Sequence, residues 1–403
     1  MPLRRAKLVL SWSIIIFLIA INFSLHIGVA KNLPSINGFD ERGVKEFLGL
    51  LSYCVIIAIG LLKTGIKLQK NHWLIILMMF LTMHSYIALP SHISIMGYDF
   101  GGAWQFKPLV NIWLAFITAS VIGTSEIDTS LIMNVLMWVG LVLAIYAIAQ
   151  YFKIDPWQDI IKSDEALTTT NGHISTTLTH PNFSSVFIAS LLPIALFLRK
   201  WWIAAAMIIS VIIIKSLFGL ATLLACTWLW SHNRTSKGFK TVVYLIAISI
   251  VAFVIKLFID YPAMFSNIDS GRFGVWQSVI YNTVHPTISK ESVTLIGYGL
   301  GSFHFIFQTF YKLPLLNAHN EFIEMFASVG IIGVVLLLCA IWWMVSKAWA
   351  IKDEECRTWI IVFIGLMFGS CGLYIWQVQP HQFLIVLAVG ILHGKISNLT
   401  NSS

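Results

Sequence analysis

The stretch LLNAHNEFIEMFASVGIIGVVLLLCAIWWM, residues 315–344, places three polar side chains directly before a long apolar run. About 20 consecutive apolar residues are what an α-helix needs to cross a bilayer, so the run is typical of a membrane-spanning helix. Pro314 ends the preceding element, and Asn317 is the predicted cap of the helix. The polar side chains are those of His319, Asn320 and Glu321. They stand where a helix would leave the membrane, within reach of water.

The composition of the chain indicates its class. Of the 403 residues, 58% are hydrophobic and only 11% are charged, and the mean hydropathy is +0.82. A soluble domain carries roughly 25% charged residues, so an ordinary water-soluble globule is excluded. Because backbone groups inside lipid must pair within their own segment, the apolar blocks are predicted to be helices. We therefore expect an all-α polytopic membrane protein in which residues 1–403 form a single integral membrane domain.

The apolar blocks predict about 12 transmembrane helices. The seventh and eighth divide one apolar block at Lys215. The polar residues 396–403 are predicted to be disordered. The predicted spans are 8–29, 46–62, 72–90, 108–124, 130–151, 182–198, 201–215, 216–231, 241–259, 321–346, 357–376 and 382–396.

Lys and Arg residues predict the orientation. If the N-terminus is inside, the cytoplasmic segments are denser in these residues than the longer outer segments, as the positive-inside rule requires. We therefore expect a multi-pass protein with both termini cytoplasmic and two long outer loops, 152–181 and 260–320. Because long loops are commonly functional, the larger one is the predicted site.

That loop contains NIDSGRFGVWQSVIYNTVHP, residues 267–286, with Ser270 as a plausible helix cap. Its large apolar side chains recur at helical spacing: Phe273, Trp276, Val279 and Ile280. This pattern predicts a short amphipathic helix on the membrane surface. Arg272 would stand in its first turn, where a cation opposes the helix dipole and needs an anion. Asp269 or a substrate phosphate could provide that anion.

Two further motifs follow in the loop. Gly297, Gly299 and Gly301 stand at alternate positions, which indicates either an ordinary tight turn or a close backbone approach to a ligand. His319 titrates near neutrality and could transfer a proton, although a histidine at the interface can also have no catalytic role. Glu321 suits the positive end of a helix, so capping alone could explain its position.

The same face of the membrane receives more polar groups. His180 and Asn182 flank a proline at the outer start of the sixth span, and Lys215 lies at the outer turn between the seventh and eighth. A lysine there faces water, an acid or an anionic ligand, or extends to the interface. Together with Arg272 and His319, these groups suit a diphosphate, since charge-assisted hydrogen bonds to phosphate are strong.

Several function classes lack support. The chain has no phosphate-binding loop of the nucleotide hydrolases and no zinc-protease motif. Its five cysteines lack the spacing of a metal site or a disulfide framework. We therefore expect no metal and no cofactor. The net charge of +8 comes from scattered basic residues without a basic stripe, so no nucleic-acid partner is expected.

The order of these motifs resembles the bacterial O-antigen ligase and O-antigen polymerase superfamily, which also includes O-oligosaccharyltransferases. The motifs that carry the resemblance are the PN at 181–182, GRFGVWQSVI at 271–280, GYGLGSF at 297–303 and NAHNEFIEMFASVGIIG at 317–333. The resemblance implies a C-type glycosyltransferase architecture in the bacterial inner membrane. It also implies transfer of a glycan from undecaprenyl diphosphate on the periplasmic face, without nucleotide sugar or metal.

The resemblance further implies roles for particular residues. The family's loop histidine and arginine match His319 and Arg272, which are expected to handle the acceptor proton and to stabilise the diphosphate. Lys215 stands beside the position of a family Ser-Arg pair and could assist Arg272. The residues expected to bind or orient donor and acceptor are Asn320, Glu321, His180, Asn182, Trp276, Gly299 and Gly301.

Several functions remain open at this stage. A ligase adds the glycan to lipid A-core, a polymerase extends an O-antigen or capsule chain, and an O-oligosaccharyltransferase modifies a protein. Outside this class, a secondary transporter would require charged residues deep within spans, of which Lys256 is the clearest. A purely structural membrane protein would not need the polar groups of the loop.

Overall fold

The computed structural model describes most of the chain, and all regular structure in the described residues is helical. These residues are 9–16, 50–60, 71–96, 103–125, 127–154, 181–234, 272–286, 293–301, 303, 306–307, 311, 318–373, 376 and 379–402. The helices are α1 (9–16), α2 (Leu50–Gly60), α3 (His72–Met96), α4 (Ala103–Thr124), α5 (Thr129–Tyr151), α6 (Pro181–Phe197), α7 (Trp201–Ile214), α8 (Leu217–Arg234), α9 (Arg272–Val284), α10 (Val293–Ile296), α11 (Glu321–Trp349), α12 (Glu354–Ser370) and α13 (Gln379–Ser402).

Two of these helices, α5 and α11, are long and apolar enough to cross a membrane, and several shorter helices are also apolar. Many large apolar side chains are exposed, including those of Trp342, Met83 and Ile16. Soluble proteins rarely expose so much apolar surface. The described residues are thus compatible with a helical membrane protein. The full number of spans stays a prediction, and the predicted span 241–259 lies outside the described residues.

Helix α6 is the centre of the bundle. Every residue from Phe183 to Leu196 is buried, and the helix packs against α5, α7, α8 and α12. Small residues allow the closest approach: a Cβ added at Gly219 of α8 would lie 2.3 Å from the Cβ of Ser185. The N-terminal ends of α6 and α8 are therefore held side by side.

Helix α11 is broken at Gly330, which has φ 66° and ψ −172°. The glycine turn after α10 docks into the break. The N–H groups of Tyr298 and Gly299 donate to the carbonyl oxygens of Ala327 and Ser328 at 2.8 and 2.7 Å. Carbonyls that lose their helical partners are thus satisfied inside the protein, as a lipid environment requires. The predicted span of residues 321–346 is therefore not one continuous helix.

The end of α12 also differs from the prediction. The span predicted at 357–376 corresponds to a helix that ends at Ser370, because side chains from α9 and α11 bind the next two carbonyl oxygens. These belong to Gly372 and Cys371. At the other end of α12, the side chain of Asp353 accepts from a backbone N–H and caps the helix.

Other helix boundaries are longer than predicted. The disordered tail predicted at 396–403 was wrong, since α13 continues to Ser402 and Ile396 packs in the core. Helix α3 likewise extends past the predicted residue 90 to Met96. The predicted division of the block after Trp201 is confirmed, because the chain turns at Lys215 between α7 and α8.

Candidate functional site

Arg272 is the first residue of α9, as the sequence predicts, and it is buried. Its Nη1 donates to the carbonyl oxygen of Gly372 at 3.4 Å, and its guanidinium carbon lies 5.0 Å from the ring centre of Phe218. A guanidinium stacked on an aromatic face is held in place with its charge intact. Helix α9 thus begins with a fixed positive charge. Asp269 and Ser270 lie outside the described residues.

His319 is half-buried in the turn before α11 and has a left-handed φ of 51°. This conformation is unfavourable for residues other than glycine, so surrounding contacts must maintain it. The preceding peptide supplies them. Trp276 Nε1 donates to the carbonyl oxygen of Ala318 at 2.8 Å, and the Ala318 N–H donates to Glu324 Oε2 at 3.1 Å. The backbone of the His319 turn is therefore held by α9 and α11 together.

Arg272 donates to the carbonyl oxygen of Gly372, and Asn320, which follows His319, donates to that of Cys371, so the structure brings His319 and Arg272 near each other. Burial lowers the pKa of His319 below its usual value of 6.5, and the positive charge of Arg272 lowers it further. An electrostatic effect of this kind requires short separation. At neutral pH the imidazole is therefore mainly uncharged, which is the form that can accept a proton.

Asn320 caps α11, and the prediction of Asn317 as the cap was wrong. The Oδ1 of Asn320 accepts from the N–H groups of Phe322 and Ile323, and its Nδ2 donates to the carbonyl oxygen of Cys371 at 2.6 Å. The Asn320 side chain thus satisfies hydrogen-bonding groups at two helix ends: N–H groups at the start of α11 and a carbonyl oxygen just after α12. Its predicted contact with substrate stays a prediction.

Glu321 also has a structural role. It is buried, and its Oε1 accepts from the backbone N–H of Trp376 at 2.7 Å. The indole Nε1 of Trp376 donates to Ser370 Oγ at 2.8 Å. Glu321 therefore fastens α11 to the connection between α12 and α13. This contact positions the turn that carries His319, and a direct role of Glu321 toward substrate stays a prediction.

The junction between α7 and α8 forms a second part of the site. Lys215 is exposed and left-handed, with φ 57°. The next residue, Ser216, caps α8: its Oγ accepts from the Gly219 N–H at 3.1 Å and donates to Asn182 Oδ1 at 2.7 Å. Asn182 thus joins α6 to α8. This structural role was not predicted from the sequence, and the predicted contact of Asn182 with substrate stays a prediction. His180 lies outside the described residues.

The remaining predicted residues lie nearby. Gly299 and Gly301 have positive φ values of 110° and 76°, as a tight turn requires, and the Gly299 N–H bonds α11. The close approach shown at Gly299 is to α11, and contact of either glycine with a ligand stays a prediction. Trp276 lines an apolar groove of about 640 Å³. The other residues of the groove are Gln277, Ile280, Tyr281, Val284, His285 and Ile323.

Helices α6, α8, α9, α11 and α13 begin at this end of the bundle. The contacts just given join the first turns of α6, α8, α9 and α11, and His381 at the start of α13 bonds Phe183 at the start of α6. The first turns of α6, α8, α9 and α13 contain no acidic residue. A helix N-terminus carries about half a positive charge. Helix α11 also begins here and has Glu321 and Glu324 in its first turn, so both signs of charge meet at this end. Arg272 and the acid-free helix ends are the groups that suit an anion.

Sequence reasoning missed His381 and Trp376. Both stand in or beside an apolar run, where a lone polar residue is more often a packing residue than a functional one. Only their contacts with Phe183 and Glu321 place them at this end of the bundle. Among the described residues, no cluster of histidine, cysteine or acidic side chains could hold a metal ion.

Comparison with known proteins assigns no family or function to the chain. No protein-family model matches the sequence, and no curated protein matches it significantly.

Proposed function

We propose that the chain is an integral membrane glycosyltransferase that transfers a glycan from undecaprenyl diphosphate to an acceptor. The carrying observation is a buried arginine near His319 at the end of the bundle where α6, α8, α9, α11 and α13 begin. The arginine and the helix ends suit the diphosphate of the donor. The histidine suits removal of a proton from an acceptor hydroxyl.

The proposed reaction is a single displacement. The acceptor oxygen attacks the anomeric carbon of the donor sugar while its proton passes to His319. The bond between that carbon and the diphosphate oxygen breaks, and both electrons leave with undecaprenyl diphosphate. Arg272 and the surrounding helix ends stabilise the negative charge that develops on the leaving group, which is where preorganised dipoles contribute most. The proton then leaves His319 to water.

We rank an O-antigen ligase, which uses lipid A-core as acceptor, narrowly ahead of a polymerase that extends a glycan chain. A protein O-oligosaccharyltransferase ranks lower. The three share the donor site and differ only in the acceptor. The groove lined by Trp276 and Ile323 starts beside the His319 turn and is apolar, which favours a lipid-linked molecule over a soluble protein.

A secondary transporter is the second candidate, because transporters often bind ions at broken helices such as α11. Two carbonyls at the Gly330 break accept hydrogen bonds from Tyr298 and Gly299. They are thus satisfied by the protein itself, whereas a transporter would use such carbonyls for its ion. This observation favours the transferase.

The proposal includes a location. The site would face the periplasm, and both termini would face the cytoplasm of a multi-pass inner-membrane protein. Tyr281 is exposed on α9 and offers a test. In a cysteine-free background, Tyr281→Cys should react with a membrane-impermeant maleimide added to intact spheroplasts. Labelling only after the membrane is permeabilised would place the site in the cytoplasm and contradict the proposal.

The activity can be tested with purified protein in liposomes. The assay supplies an undecaprenyl-diphosphate-linked glycan with lipid A-core, a second lipid-linked glycan or a serine-containing peptide. Transfer to one acceptor, with release of undecaprenyl diphosphate, supports the proposal and identifies the subclass. A His319→Ala protein that folds normally and retains full transfer would refute the catalytic role of His319. Failure with all three acceptors, together with ion-coupled solute uptake, would favour the transporter.

A further inference from the structure

His381 is a second histidine at the same end of the bundle. It lies in the first turn of α13 and is 0% exposed. Its Nε2 lies 2.9 Å from the carbonyl oxygen of Phe183, which can only accept, so Nε2 carries the hydrogen. The ring packs edge-on against Phe183 and Phe187, with ring centres 5.8 and 5.2 Å away.

The other ring nitrogen gives no reason for a histidine at this position. Nδ1 is buried and has no hydrogen-bond partner among the described residues. An acceptor buried without a donor destabilises the folded state, and a phenylalanine would fill the same space between two aromatic rings without this cost. The property that a phenylalanine lacks is the Nε2–H donor to α6. That donor is therefore the feature that the position requires.

The bond to Phe183 begins a chain of contacts that leads to Arg272. The neighbouring Asn182 accepts from Ser216 Oγ at 2.7 Å, and Ser216 caps α8. Phe218, two residues further, lies under the guanidinium of Arg272. Groups that do chemistry need such supporting contacts to hold their geometry.

The chain of contacts closes on itself. Arg272 donates to Gly372, which stands at the end of α12. From there the chain continues through Trp376, which is bonded to Glu321 and Ser370, into the first turn of α13. The hydrogen bond of His381 therefore closes a loop of contacts that includes Arg272, and it links α13 to α6.

We propose that His381 is a positioning residue that sets the place of Arg272 through α6 and α8, an inference that rests on the proposed function. It does not touch substrate and does not exchange a proton in the reaction. Loss of its Nε2–H leaves the ability of His319 to accept a proton intact. It weakens the binding of the donor diphosphate to Arg272. The effect therefore falls on the KM for donor.

The test compares His381→Gln with His381→Phe in the full chain, reconstituted in liposomes. Glutamine can place an amide N–H near the position of Nε2, whereas phenylalanine keeps the ring shape and removes the donor. We expect His381→Phe to raise the KM for donor about tenfold or more, since displacing a preorganised charge costs this order of affinity. His381→Gln should stay within about threefold of the wild type.

A second variant guards against a folding defect. Ser216→Gly removes the next hydroxyl in the chain, while glycine remains an acceptable helix cap. It should raise the KM for donor in the same direction as His381→Phe. Equal KM values for the wild type, His381→Phe and Ser216→Gly would overturn the inference.

Binding of farnesyl diphosphate separates the inference from the proposed function. If the wild type binds this probe and His381→Phe binds it more weakly, both are supported. If wild type and His381→Phe bind it equally, the positioning role fails and the proposed function stands. If the wild type neither binds the probe nor transfers glycan, the proposed function fails, and the inference fails with it.

Discussion

Charged side chains have different partners at the two ends of the bundle. Where α12 begins, Asp353 caps the helix, Glu354 and Glu355 stand in its first turn, and Lys395 pairs with Asp353 and Glu355 at 2.9 and 3.2 Å. Acids at a helix start, neutralised by a lysine, are an ordinary arrangement for stability. At the opposite end, four helices begin without an acid, and one of them begins with the buried Arg272. Helix α11 also begins at that end, with Glu321 and Glu324 in its first turn. The first end compensates its carboxylates with a lysine, whereas at the second end the two carboxylates accept from backbone N–H groups and Arg272 lies over Phe218.

The largest expected effect comes from His319→Asn at the end of the bundle that holds Arg272. Asparagine tolerates the left-handed turn but cannot act as a base at neutral pH, so transfer should fall about 1,000-fold with little loss of stability. The matched control is His232→Asn, an exposed histidine near the far end of α8, which should be fully active. Initial transfer rates in liposomes measure both. An active His319→Asn would remove the base from the mechanism.

Arg272→Gln should reduce transfer about 100-fold, because the leaving diphosphate loses its nearest fixed cation. Arg199→Gln removes an exposed arginine from the turn between α6 and α7 and should have no effect. The same assay, run at several donor concentrations, separates binding from catalysis. Equal losses in the two variants would show that overall charge matters rather than the site.

The acid side of the pH profile sharpens the comparison further. The pKa of folded His319 lies below the 6.5 of the unfolded chain, so protonation disfavours the folded, active form. Activity should therefore persist below pH 6.5 and decline as pH falls through the lowered pKa. In Arg272→Gln the midpoint should move up toward 6.5, since one cause of the lowering is removed. A midpoint that is the same in both proteins would contradict the coupling.

Gly297→Ala tests how the site is held rather than what it does. A Cβ there would lie 2.3 Å from the backbone of Ser328, and the residue has φ 75°. The stability of the folded protein should fall by about 1–3 kcal/mol. Gly274→Ala in α9 meets no atom within 4 Å and should stabilise slightly. Thermal unfolding in detergent measures both, and equal midpoints would show that the turn does not need its docking contact.

The smallest effect should come from the compensated end. Lys395→Met removes a partly exposed pair, and such pairs contribute about 0.2–1 kcal/mol. Transfer should be unchanged. A loss of transfer comparable to that of Arg272→Gln would mean that the wrong end of the bundle has been assigned to the chemistry.

The helices that begin or end at polar residues were largely predictable. The block after Trp201 divides at Lys215, and α9 begins at Arg272, because charge and turn chemistry interrupt the apolar pattern at those residues. The end of α12 could not be predicted, because the sequence remains apolar past Ser370. That boundary depends on side chains from α9 and α11, which arrive from distant parts of the chain.

The site was predictable only where its residues stand at the edge of an apolar block. His319 and Arg272 do so, and the structure brings them together. His381 stands within an apolar segment and was missed, since its place depends on the packing of α13 against α6. The break at Gly330 was also missed, because glycine is common in membrane helices and does not by itself predict a kink.

The most direct measurement is a cryo-EM structure of the reconstituted protein with undecaprenyl diphosphate bound. We predict density for the diphosphate against the guanidinium of Arg272, with the imidazole of His319 facing the bond that would join it to the sugar. Diphosphate density beside Lys395 at the opposite end, or an Arg272 side chain turned away from the bound lipid, would contradict the proposed site.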